Sequence, residues 1–136
     1  MDHREVAVAT MTWARDEAEG RLLRESLTLL AELNIPTFVT DGGSGRPLLD
    51  FLHAVPHFRV SEAGAPGVWT QARSSIEAAA DGTAAGFILY TEPDKGDFFR
   101  DSLREFIAEA PSGGDVGVVL ASRSAESFDT FPEFQR

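Results

Sequence analysis

Phe87-Ile88-Leu89-Tyr90-Thr91-Glu92-Pro93-Asp94-Lys95 is an apolar run that stops in two acids, a proline and a lysine. Its first four residues are apolar without a break, which predicts a central parallel strand covered on both faces rather than a half-exposed one. Pro93 cannot donate to a ladder and pushes Glu92 toward an extended backbone, so the strand must end there and carry Glu92 and Asp94 onto a stiff loop. Two hard oxygen ligands two residues apart at such a tip can share one divalent cation, Mg²⁺ or Mn²⁺ by ligand type. The plainer account is a loop whose acids cap the next helix near Asp97, since carboxylates favour the positive N-terminal end. For an acid-X-acid triplet on its own in so acidic a chain, capping comes first.

Outward from that run, strand and helix signals alternate. Val6 to Thr12 is small, β-branched and apolar, a first strand. Asp16, Glu17 and Glu19 load a helix start, and Leu23, Leu27, Leu30 and Leu33 give one apolar stripe, closed by Asn34. Ile35 to Thr40 reads as the second strand, and Asp41-Gly42-Gly43-Ser44-Gly45 follows it at once. Glycines there permit positive φ and close approach of a ligand, though the spacing fits neither the dinucleotide fingerprint nor the P-loop, and such loops are mostly turns. Leu48 to Leu52 predicts a short helix and Phe58 to Val60 a third strand. His53 and His57 stand four apart with Pro56 between them, so one helix cannot present both to a metal.

From Gly67, residues Val68, Ala72, Ile76 and Ala79 or Ala80 predict the buried face of the next helix, with Arg73 beside it and Glu77 one turn on for an exposed ion pair. Beyond Lys95-Gly96, Phe99, Leu103, Phe106, Ile107 and Ala110 mark a single amphipathic helix. Val116 to Ala121 reads as a further buried strand. Such alternation implies right-handed crossovers and an α/β fold, a three-layer sandwich around a mostly parallel sheet. Ligands in these sheets gather beyond the carboxyl ends of the strands, where strand order switches. Thr10 and Thr12, Asp41, Glu92 and Asp94, and Ser122 and Arg123 all fall at such ends, which raises a binding role above the plain one.

The composition narrows the partners. The 136 residues suit one domain, and 43% hydrophobic content is enough for a core. A net charge of −10, from 12 basic and 22 acidic residues, argues against nucleic acid as a partner. There is no cysteine, so no disulfide or thiolate metal site holds the fold. Met1 to Glu5 is charged and unlike a signal peptide, and no apolar stretch approaches membrane-spanning length, so a cytoplasmic protein is expected.

In order and spacing, Asp41-Gly42-Gly43-Ser44, then Gln71-Ala72-Arg73-Ser74-Ser75-Ile76, then Phe87 to Asp94, the chain resembles the nucleotide-binding half of family 2-like glycosyltransferases, whose fold is the nucleotide-diphospho-sugar transferase (glycosyltransferase A) fold. The resemblance implies that Asp41 holds the base or ribose of a nucleotide-sugar donor, that Arg73 comes near the nucleotide, and that Glu92 and Asp94 hold the Mn²⁺ or Mg²⁺ bridging the donor diphosphate. Beside these, Thr10, Thr12 and Gly42, at strand ends and in the glycine loop, are candidates for donor contact, and Lys95 and Arg123 for contact with its phosphates. The acidic motif is Glu-Pro-Asp where the family has Asp-X-Asp, and Thr40 stands where many relatives carry a second acid. The chain stops at Arg136, where the family continues to its acceptor site and, in inverting members, its catalytic base. The expectation is therefore a donor-binding domain without its acceptor part, for transfer to an unknown acceptor. The alternatives are a non-catalytic α/β ligand-binding or interaction module, and more remotely a nucleotidyltransferase. Phe128, Phe131 and Phe134 would then lie unpartnered and favour homo-oligomers.

Overall fold

A computed structural model describes residues 1–115 and 117–120 of the chain. After a 3₁₀ turn at His3–Glu5 come β1 (Val6–Thr12), α1 (Glu17–Ala31), β2 (Thr37–Asp41), α2 (Arg46–Ala54), β3 (Phe58–Glu62), α3 (Val68–Gly82), β4 (Phe87–Tyr90), α4 (Gly96–Asp101) and α5 (Leu103–Glu109). The four strands form one all-parallel sheet in the order β3-β2-β1-β4. The fold is thus the three-layer α/β sandwich expected.

Every residue of β1 is buried, and its side chains divide by parity. Val6 and Val8 join Leu23, Leu27 and Leu30 of α1, Leu48 and Leu52 of α2, and Phe99, Leu103 and Ile107 in one core. Ala7 and Ala9 face the other way, with Phe38 and Ala79. That second face is nearly all small residues, so α3 comes close to the sheet. The buried positions of α3 are accordingly Gln71, Ala72, Ser75 and Ala79. Val68 and Ile76, expected in the buried stripe, are exposed, as is Trp69. The stripe is turned because a helix lying on alanines buries its small residues and leaves the large ones at the flanks.

Three further expectations are corrected. Among the described residues Phe87–Tyr90 is not the central strand: β4 pairs with β1 alone and forms the sheet's edge, half-buried over Phe87 to Leu89 and exposed at Tyr90. An apolar run marks helices over both faces of a strand but says nothing of its two lateral neighbours. The single helix expected after Gly96 is two, broken at Ser102 (φ −133°, ψ −19°), which lets both Phe99 and Leu103 reach the core. Of the strand expected over 116–121, the described residues 117–120 form no strand, and Val118 and Leu120 are exposed. Ser122, Arg123, Phe128, Phe131 and Phe134 lie outside the described residues.

β1 leads by α1 to β2 on one side, and α3 returns the chain from β3 to β4 on the other. The order of connection therefore reverses between β1 and β4, which is the switch point where such sheets bind ligands. No helix among the described residues is long and apolar enough to cross a membrane.

Candidate functional site at the carboxyl edge of the sheet

Two carboxylate groups flank the end of β1, and they differ in kind. Asp41, the last residue of β2, lies opposite Thr12 in the register and is 1% exposed. Its Oδ1 accepts from Thr12 Oγ1 at 2.8 Å and from Ser44 Oγ at 2.6 Å. Its Oδ2 accepts from the backbone N–H groups of Gly43 at 2.9 Å and Ser44 at 2.7 Å. Ser44 Oγ in turn accepts from Ala14 N–H at 2.9 Å, which joins this loop to the chain leaving β1. The turn favours glycine at Gly43, where φ is +121°, and at Gly42 a Cβ would overlap the Gln71 amide, which would have to shift. Gln71 is 3% exposed. Nothing in the sequence singled it out, because a glutamine on a helix is ordinarily a solvent residue.

On the other side of β1, the chain leaves β4 through Thr91. Thr91 N–H donates to Ala9 O at 3.1 Å, and the fully buried Thr10 Oγ1 donates to Thr91 O at 2.7 Å. Pro93 O then accepts from Ser26 Oγ of α1 at 2.7 Å. On either side of Pro93, Glu92 and Asp94 face solvent, their side chains 63% and 67% exposed. Both turn toward Lys95, whose Nζ lies 3.0 Å from Glu92 Oε2 and 3.8 Å from Asp94 Oδ1. Helix α4 has Lys95 as its N-cap with no side-chain cap hydrogen bond, and Asp94 directly precedes that end. Asp97 of its first turn pairs with Arg100 at 2.9 Å.

The remaining candidates are spread. Arg73 is exposed on α3 and paired with Glu77, Nε to Oε1 2.8 Å, the surface pair that the spacing implied. Tyr90, at the end of β4, has its phenol pushed above the usual range by burial and then by the Glu92 charge. His57 sits at the opposite end of the sheet, its carbonyl accepting from Thr37 N–H at 2.9 Å. Among the described residues no group of three or more His, Asp or Glu side chains could hold a metal. A cavity of about 760 Å³ runs along the open side of β4, from Val6 and Phe87 past Phe98 and Phe106 to Thr91, Glu92 and Lys95.

Thr10, Thr12, Asp41, Gly42, Glu92, Asp94 and Lys95 are thus all brought to one edge, on β1 and its two neighbours. Asp41 and the Thr91 end of β4 stand two strand spacings apart, about 10 Å. No family model, curated protein or solved structure matches the chain.

Proposed function

We propose that this edge binds a nucleotide-diphospho-sugar donor, and that the chain is a glycosyltransferase-like donor-binding domain of cytoplasmic location. One observation carries the reading: the Glu92 and Asp94 carboxylates converge on a single positive charge at the switch point. The Lys95 ammonium stands in for a cation there, so the donor set suits a hard divalent ion that takes its remaining ligands from phosphate and water. Such an ion, when bound, supplies charge neutralisation at the diphosphate as the sugar departs.

The chain's own residues divide the rest of the work. Asp41 is saturated by four hydrogen bonds from Thr12, Gly43 and Ser44, so it holds the glycine loop in shape. The nucleoside would then lie against that loop and Gly42, with the diphosphate reaching across β1 toward Glu92 and Asp94. Lys95 is free to swing from the acids to a phosphate oxygen, as a long, half-exposed ammonium can. No catalytic base is assigned among the described residues.

A second reading has its own support. Lys95 already sets one ammonium against the two carboxylates, an internal counter-charge that suits a non-catalytic α/β ligand-binding or interaction module. A thermal-shift panel of UDP-, GDP- and ADP-sugars, with and without Mn²⁺, separates the two, because a ligand that binds only the folded state raises the melting temperature. A metal-dependent rise with one base is expected. No rise with any donor leaves the second reading.

A further inference from the structure

The turn that carries Glu92 and Asp94 is held to the body of the protein at few points. β4 ends at Tyr90, α4 begins at Gly96, and residues 91–95 between them belong to neither element. Two of the hydrogen bonds that fix this stretch come from buried hydroxyls on other elements. Thr10 Oγ1 of β1 donates to Thr91 O, just before Glu92, and Ser26 Oγ of α1 donates to Pro93 O, between the two acids, each at 2.7 Å. Thr10 is fully buried and Ser26 is 8% exposed, so water competes little for either bond.

Ser26 is out of place by the logic of its helix. It shares the buried side of α1 with Leu23, Leu27 and Leu30, where a leucine or alanine would serve the core better. Gly96 packs closely on it: a Cβ on Gly96 would lie in ordinary contact, 3.4 Å from Ser26 Oγ and 3.5 Å from Ser26 Cα. Smallness alone would be met by alanine, the better helix former. What serine adds is the donor to Pro93 O. The Pro93 carbonyl sits at the middle of Glu92-Pro93-Asp94, so that one bond holds the backbone between the two acids.

We propose that Ser26 and Thr10 are positioning residues that clamp the turn from two sides and hold the Glu92 and Asp94 carboxylates convergent. This inference rests on the reading of those two acids as the cation site of the donor. It assigns to α1, on the far side of the β1 loop, a part in metal affinity that involves no contact with metal or ligand. Residues of this kind, one bond removed from the ligands, typically change metal affinity 10- to 100-fold when lost.

The test compares the wild-type chain with Ser26→Ala, Thr10→Val, Thr10→Ser and Asp94→Asn. Backbone ¹⁵N relaxation follows the amides of Glu92, Asp94, Lys95 and Gly96, and loss of the free-ion electron paramagnetic resonance signal follows uptake of Mn²⁺ alone. Ser26→Ala and Thr10→Val are expected to add motion at those amides and to weaken Mn²⁺ about tenfold or more, while Thr10→Ser, which keeps the hydroxyl, stays near wild type in both. Turn amides unchanged in Ser26→Ala would overturn the proposal whatever the metal does. So would a loosened turn with wild-type Mn²⁺ uptake, since the clamp would then be structural alone. If the wild-type chain takes up no Mn²⁺ and Asp94→Asn is indistinguishable from it, the cation-site reading itself fails and takes this proposal with it. Failure of the positioning proposal alone looks different, because Asp94→Asn then still abolishes uptake.

Discussion

The ends of β2 and β4 each deliver carboxylates to the same edge of the sheet, on opposite sides of β1, and the chain treats them in opposite ways. Asp41 is buried and accepts four hydrogen bonds, so its charge is balanced entirely from within. Glu92 and Asp94 are exposed and share one lysine, so their charge is balanced only provisionally. A buried, saturated carboxylate is part of the architecture, because moving it would strand its donors. An exposed, convergent pair contributes little to the fold and is available to a ligand. Stability should therefore follow Asp41, and binding should follow Asp94.

The largest effect is expected at Asp41. Asp41→Ala leaves Thr12, Ser44 and two backbone N–H groups without their acceptor in a buried loop, and each buried donor so stranded costs about 1–3 kcal/mol. Urea unfolding should show that loss. A cost below about 1 kcal/mol, the scale of one ordinary neutral hydrogen bond, would mean that the loop is held by something else and would erase the contrast.

Gly42 gives the next effect and a sharper one. Gly42→Ala drives a Cβ into the Gln71 amide, and overpacking of this kind typically costs about 1–3 kcal/mol. Gln71→Ala opens the space that Gly42→Ala needs. In the double variant the two costs should be less than additive, read by unfolding of all four proteins. Strict additivity would show that Gly42 is there for another reason, such as backbone conformation.

Much of this architecture was legible in the sequence, and the part that was not has a physical cause. The leucines of α1, the acids at its start and the turn at Asn34, where φ is +55°, follow from periodicity and capping, which act within a few residues. The edge position of β4 was hidden because strand order is a long-range property: four apolar residues read alike in the middle of a covered parallel sheet and at its side. The turned face of α3 was hidden because burial there is set by Ala7 and Ala9, some sixty residues away, which admit a helix through Gln71 and Ser75 instead of Val68 and Ile76. The candidate residues at strand ends could be found from the strand signals alone. That Asp41 is saturated while Glu92 and Asp94 are not could not, since the donors Thr12 and Ser44 are assigned only by the fold.

A smaller effect separates the two ends of the sheet. His57 lies at the edge opposite the candidate site, its Nε2 buried without a partner among the described residues. Burial lowers its pKa below the usual 6.5, against a weaker raising effect of its bond with the Ala31 backbone. Because the folded value is the lower one, the stability it provides is full above the unfolded pKa and is lost as pH falls through 6.5 and below it. The urea midpoint should decline over that window in wild type and decline less in His57→Gln. An equal decline in both would assign the acid sensitivity to other groups.

The smallest effect on stability, and the one that decides between the two readings of the edge, is expected at Asp94. Its contact with Lys95 is 3.8 Å long and exposed, and its neighbour Glu92 repels it whenever Lys95 swings away. Asp94→Asn should therefore leave the melting temperature of the empty protein unchanged or slightly raised, within about 0.5 kcal/mol in free energy. If the pair holds a cation, the same change removes one of two charged oxygen ligands, and the Mn²⁺-dependent part of nucleoside-diphosphate affinity should disappear. Lys95→Gln supplies the counter-test, because it removes the internal cation. Under the metal reading it frees both acids and strengthens Mn²⁺ uptake measured without nucleotide. In a ligand-binding module completed by Lys95, it leaves two unneutralised acids, and Asp94→Asn and Lys95→Gln should then compensate one another in stability with no change in Mn²⁺ uptake. Unaltered Mn²⁺ binding in both single variants would reject the cation site and leave the lysine-closed edge as the account of these three residues.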